Sequence, residues 1–154
     1  DIHNKAQLSH QQKARYTYGI NEHQFARYVK KYRRQSDLFR ALETRLDNVV
    51  FRLGWTPSRA AARQVVTHGH ISANGRRVNS PSYAVKIGDE VSFRPASRES
   101  ALLRNLEERL KDHQIPIWLK MPSPTAGLIV AHPGIGETEV NLNLAAIIDF
   151  YNRV

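Results

Sequence analysis

Apolar residues recur every three to four positions through most of the first 70 residues, and every second position only after that. In the span Leu38, Phe39, Leu42, Leu46, Val49, Val50, Leu53 the spacing predicts one long helix that Ser36 can cap and Gly54 stops. Before it, the polar run 5–18 predicts a helix ending at Gly19. Asn21 with Gln24 three residues on resembles a capping box for a second helix, which reaches about Arg34 with Phe25, Tyr28, Val29 and Tyr32 on one face. After a tight Trp55-Thr56-Pro57 connection, Ser58 caps a short helix carrying Ala61, Ala62, Val65 and Val66 and closed by Gly69.

From there the pattern changes. Ile71-Ser72-Ala73 reads as a strand, and Asn74-Gly75 is a strong hairpin signal, because a type I′ turn needs positive φ at both central residues. Arg76-Arg77-Val78 begins the return strand, Ile87-Gly88-Asp89 is a further turn, and Glu90–Arg94 a further strand. Residues 98–112 predict a mixed-charge helix with Leu102, Leu103, Leu106 and Leu110 on one side. Pro116–Leu119 and Gly127–Ala131 read as strands around a Pro-rich break, Pro133–Gly136 as a loop, and Asn143 to about Asn152 as a last amphipathic helix. The fold class expected is α+β.

Charge narrows the partner. The 154 residues, enough for one ordinary domain or two small ones, carry 23 Lys and Arg against 14 Asp and Glu, a formal +9. Residues 1–79 hold 15 basic and 5 acidic residues, a net of +10, whereas residues 80–154 hold 8 and 9, a net of −1. Such an excess points to a polyanion, nucleic acid or an acidic membrane surface. The absence of Cys excludes disulfides and thiolate metal sites and makes an intracellular setting the easier reading. The longest apolar run, Ala126–Ala131, is too short to span a bilayer, and no basic amphipathic helix carries the bulky apolar anchors of a membrane-surface protein. No signal-peptide core is visible, and a chain beginning at Asp1 is expected to be part of something longer.

The basic residues follow the element pattern. Arg45, Asn48 and Arg52 fall at three- and four-residue steps opposite the Leu/Val face, Arg59 and Arg63 lie four apart away from the Ala/Val face, and the turn brings up Arg76 and Arg77. Two apolar faces packed on one core would leave these guanidinium groups on a shared surface. Planar, permanently charged forks suit phosphate oxygens and stack on bases, and the helix start at Ser58 adds free N–H groups for another phosphate. A-form RNA is recognised through shape, phosphates, 2′-hydroxyls and junctions, which such a surface can meet.

The run RLDNVVFRLGWTPSRAAARQVVTHGHISANGRRVN, followed by SYAVKIGDEVSF, resembles the αL-type RNA-binding module. That module occurs in small-subunit ribosomal protein four, in some pseudouridine synthases and tyrosyl-tRNA synthetases, and in a heat-shock ribosome-associated protein. The flanks, QQKARYTYGINEHQFARYVKK before it and Ile-Pro-Ile-Trp-Leu with a terminal amphipathic helix after it, are similar to the ribosomal protein family. The resemblance implies a discontinuous helical domain, residues 1–41 and 124–154. It implies an inserted RNA-binding domain at 42–123, with its core module, two helices on a small mostly antiparallel sheet, at 43–95. It implies RNA-facing positions at Ser58, Arg59, Arg63, His68, Gly69, Asn74, Gly75, Arg76 and Arg77, to which the charge pattern adds Arg45, Arg52, Lys5, Lys13, Arg15, Lys30 and Lys31. It further implies a non-enzymatic constituent of the small subunit in the cytoplasm, early binding to small-subunit ribosomal RNA, assembly nucleation, decoding fidelity and contact with protein five. No cofactor, metal, membrane or small-molecule substrate is expected.

Other readings compete. His68-Gly69-His70 lacks the acidic or thiolate neighbours of a metal site, and PGIGE lacks the Lys and the strand–helix context of a phosphate loop. Tyr16, Tyr18, Phe25, Tyr28 and Tyr32 could stack bases, but their helical spacing suits a core. A pseudouridine synthase would need a large catalytic domain with an Asp nucleophile, for which no segment is long enough. A ribosome-associated assembly or rescue factor carrying the same module is the remaining alternative.

Overall fold

The computed structural model describes residues 2–134 and 142–153, so Ile135 and Gly136 of the expected Pro133–Gly136 loop, and with them most of PGIGE, lie outside the described residues. Seven helices and five strands occur among the described residues. The helices are α1 Ile2–Tyr18, α2 Glu22–Lys31, α3 Gln35–Glu43, α4 Leu46–Arg52, α5 Arg59–Thr67, α6 Leu106–Leu110 and α7 Leu144–Asn152. The strands β1 Ile71–Ala73, β2 Arg76–Arg77, β3 Glu90–Phe93, β4 Leu119–Ser123 and β5 Ala126–Ile129 form one antiparallel sheet in the order β2-β1-β3-β5-β4. The α+β class expected from the periodicity is therefore the class found.

The chain divides into two compact units, Asp1–Glu43 with Gly134–Val154, and Thr44–Pro133. In the first, α1, α2, α3 and α7 bury Tyr18, Phe25, Val29, Leu38, Phe39, Leu42, Leu144 and Ile147 in one apolar cluster. Asn21 caps α2 by accepting from Gln24 N at 2.9 Å, and Asn143 caps α7 by accepting from Ala146 N at 3.1 Å. Tyr18 and Phe25 are core residues, whereas Tyr16 is exposed with the Arg15 guanidinium 5.0 Å over its ring. Burial pushes the Tyr151 phenol up, Glu22 adds to the effect, and Arg15 opposes it.

The second unit packs α4 and α5 on the sheet around Leu46, Val50, Leu53, Trp55, Val66, Ile71, Val91, Phe93, Trp118 and Ile129. Trp55 and Phe93 meet with ring centroids 4.6 Å apart. Gly127 on β5 lets the helical layer come close: a Cβ there would lie 2.6 Å from Leu53 Cδ1. Because Leu53 is fully buried and would have to shift within the core, Gly127→Ala is expected to lower stability by about 1–3 kcal/mol in urea unfolding.

Four sequence expectations change. The single helix over residues 36–53 is two helices, because Arg45 is extended (φ −62, ψ 140) and its neighbours bond elsewhere. Leu46 N donates to Tyr83 O at 2.9 Å and Val85 N to Thr44 O at 2.9 Å, while Arg45 bridges Ala84. The heptad-like spacing survives the break because each half faces a different core. The helix over 98–112 shrinks to α6, since Asn105 takes a left-handed conformation (φ 66) and Pro95–Ser97 and Ala101–Leu103 are 3₁₀ turns. Strand β4 runs through Pro122, which had been read as a break, because an outer strand with a register shift between Lys120 and Ser123 tolerates proline. Pairing of β5 with β3 also keeps residues 124–133 with the central unit, so the second domain boundary falls about ten residues later than expected.

Candidate nucleic-acid interface

In the Thr44–Pro133 unit six basic side chains fall in two groups, Arg45, Arg52, Arg59 and Arg63 along α4 and α5, and Arg77 and Arg94 at the C-terminal end of α5. The first is organised by Asp47, a buried carboxylate on α4. Arg45 grips it as a fork, Nε donating to Oδ1 at 3.1 Å and Nη2 to Oδ2 at 3.0 Å, and Asn48 N donates to Oδ1 at 2.7 Å. Arg45 is 2% exposed, so it is not a surface cation as the spacing suggested. The break before α4 turns it inward, and it serves as the counter-charge of Asp47. Asn48, also assigned to the outer face, is buried and accepts from Arg59 Nε at 2.9 Å.

Helix α5 starts at Ser58, whose hydroxyl accepts from Ala61 N at 3.0 Å. That hydroxyl is therefore a cap within the fold. Arg59 lies half-buried with its guanidinium carbon 4.5 Å above the Phe51 ring. One turn on, Arg63 reaches back with Nε 3.7 Å from Asp47 Oδ2 while 37% of its side chain stays exposed. The geometry is that of a cation steered by a carboxylate beneath it, too long for a hydrogen bond. Arg52 is half-buried, and its carbonyl is bonded to His113 Nε2 at 2.8 Å.

The second group surrounds Gly69. Gly69 N donates to Val66 O at 2.9 Å and His70 N to Val65 O at 3.2 Å, the paired bonds of a Schellman cap. Positive φ (+79) suits glycine, and a Cβ would fall 2.1 Å from Arg77 Nη2, so the missing side chain is the seat of the Arg77 guanidinium. Arg94 Nη1 donates to Gly69 O at 3.2 Å. Sequence reasoning did not single out Arg94; alternation along β3 was the available signal, since Ser92 and Arg94 fall on the same side of the strand. Ser72 pairs with both Arg77 and Ser92, so Arg77 shares this side of the sheet, and Arg76, opposite Ala73, takes the other. The register therefore puts Arg76 and Arg77 on opposite sides of the sheet, and Arg77 is the one that joins the Gly69 group. His68, exposed, caps α5 beside Gly69, and its ring lies 6.4 Å from that of His70.

The hairpin forms as its sequence suggests, Asn74 and Gly75 both at positive φ (53 and 82). Asn74, expected to face RNA, spends both ends of its amide inside the protein. Nδ2 donates to Asp89 Oδ1 at 2.9 Å, and Oδ1 accepts from Glu90 N at 2.9 Å. Lys5, Lys13, Lys30 and Lys31 are exposed and Arg15 half-buried, all five in the helical unit.

Residues 44–94 hold eight Lys and Arg against Asp47, Asp89 and Glu90. Two of those three acids are engaged internally, Asp47 by Arg45 and Asp89 by Asn74 and by Lys86 N at 2.8 Å. The exterior of the unit is left with a surplus of guanidinium groups, which suits a polyanion.

An S4 domain family model matches residues 44–91, the segment that supplies both groups apart from Arg94. Over the full length, the chain is 45% identical to small ribosomal subunit protein uS4 of Roseiflexus castenholzii, covering 96% of this chain and 75% of that protein. It is 44% identical to the uS4 of Natranaerobius thermophilus (96% and 73% covered) and 42% identical to that of Chloroflexus aurantiacus (96% and 75%).

Proposed function

The chain belongs to the family of small ribosomal subunit protein uS4, and from that membership we propose that it is a structural constituent of the small ribosomal subunit that binds the subunit's RNA. The observation that carries this reading is that the likeness runs through 96% of the chain. A module shared with unrelated RNA-binding proteins would match only residues 44–91. The chemistry agrees: Arg63 lies over Asp47, Arg77 lies against Gly69 and Arg94 donates to the Gly69 carbonyl, placements that lower the entropy lost when they meet phosphates.

Its role is to bind and to scaffold, not to turn over a substrate. Within the particle, neighbouring small-subunit proteins, protein five among them, are its protein partners, and the bacterial cytoplasm is its place of work. It joins the RNA early, nucleates assembly and contributes to decoding fidelity. Family membership and the bacterial origin of the relatives support these finer points.

Arg63→Ala combined with Arg77→Ala is expected to weaken binding to transcribed small-subunit RNA by about 10²–10⁴-fold at moderate salt, given about 1.5–3 kcal/mol per hydrogen bond to a charged group and one such bond per arginine. Filter binding measures it. Affinity equal to the parent's, with an unchanged melting temperature, would remove both arginines from the interface.

A further inference from the structure

Strand β2 is two residues long, Arg76–Arg77, and a pair that short does not hold its own position. What holds it is a second turn lying against the hairpin. Asn74 N donates to Glu90 O at 2.8 Å, Glu90 N to Asn74 Oδ1 at 2.9 Å, and Asn74 Nδ2 to Asp89 Oδ1 at 2.9 Å. The far oxygen of Asp89 accepts from Lys86 N at 2.8 Å, and Gly88 N donates to Ile129 O at 2.8 Å, which anchors the 86–90 turn to the sheet. A continuous chain of bonds thus runs from β5 through Asp89 and Asn74 to the residues just before Arg76.

We propose that Asn74 and Asp89 act as a pair of positioning residues that fix the Arg76–Arg77 hairpin for RNA, so that Asn74 serves the interface from within and not as an RNA ligand. The inference rests on the RNA-binding reading above. An arginine pair on a loose turn would have to be ordered during binding, and that cost would appear as lost affinity. A pair already clamped is ordered in the free protein.

The direction of the bond between the two side chains gives the test. Asn74→Asp keeps the turn, since Asp-Gly suits a type I′ hairpin as Asn-Gly does, but it sets two carboxylates facing each other. Asp89→Asn brings an amide against an amide. Both changes together restore a donor–acceptor pair with its direction reversed: the new carboxylate at 74 still accepts from Glu90 N, and the new amide oxygen at 89 still accepts from Lys86 N. Net charge is that of the parent.

Five variants of the full chain are compared on transcribed small-subunit RNA by filter binding: Asn74→Asp, Asp89→Asn, the swapped double, Arg76→Ala with Arg77→Ala, and that arginine double with Asn74→Asp added. Each single change is expected to weaken binding by about fivefold or more, and the swap to return affinity to within about twofold of the parent. Adding Asn74→Asp to the arginine double should cost nothing further, whereas general damage to the fold would lower affinity in that background too. Amide exchange at Arg77 and Val78 in the free protein should rise in each single variant and fall back in the swap. Singles that bind like the parent, while the arginine double binds weakly, would refute the positioning role and leave the RNA reading intact. An arginine double that binds like the parent would remove the hairpin from the interface, and the proposal with it. A swap no better than the worse single would also overturn it.

Discussion

Asp47→Ala is expected to cost about 3–5 kcal/mol of stability, because it removes the carboxylate that grips the buried Arg45 guanidinium at two points. The loss comes from the partner left behind more than from the attraction removed. Replacing both, Arg45→Met with Asp47→Leu, should therefore recover most of it. Asn48 N would still lose its acceptor, a residual cost of about 1–3 kcal/mol. Urea unfolding of the two variants and the parent measures both effects. A single variant within about 1 kcal/mol of the parent would mean that water reaches Arg45 and that the pair is not the buried lock its 3.0 and 3.1 Å bonds describe.

That pair marks how far the sequence could be read. Local chemistry was legible where one residue type answers one geometric need: Ser58 before a helix, Asn74-Gly75 in a hairpin, Gly69 after a helix. Helical spacing also identified the core faces of α2, α3 and α5. It failed at Arg45 because periodicity assumes an unbroken helix. The break at Thr44–Arg45 is imposed by residues 83–85, forty positions away, and no local propensity announces it. Asn74 shows the same limit: its backbone role was visible, but the bond to Asp89 comes from tertiary pairing. Arg94 went unnoticed because only the closed sheet brings it beside Gly69.

Affinity for small-subunit RNA is expected to fall by about 10²–10³-fold between 50 and 200 mM monovalent salt if four to six phosphates are neutralised, from a slope of about −0.7 to −0.9 per phosphate. The supply of cations is sufficient: Arg63, Arg76, Arg77, Arg94 and Lys86 in the Thr44–Pro133 unit, with Lys5, Lys13, Lys30 and Lys31 in the helical one. Removing Arg76 and Arg77 should flatten the log–log slope by about two. A plot for the parent with slope near zero would require recognition through uncharged contacts and would contradict the arginine argument. A steep slope that the arginine variants leave unchanged would place the phosphates elsewhere on the protein.

Strand β2 is also an outer strand of the sheet, with no strand beyond it among the described residues. Such a rim invites a second chain to add itself, and proteins discourage this with short strands and charge. Two consecutive arginines in a two-residue strand do both. The residues suited to drawing in a polyanion thereby keep newly made chains from sticking to one another while they wait for it, and neutralising them would trade solubility as well as affinity.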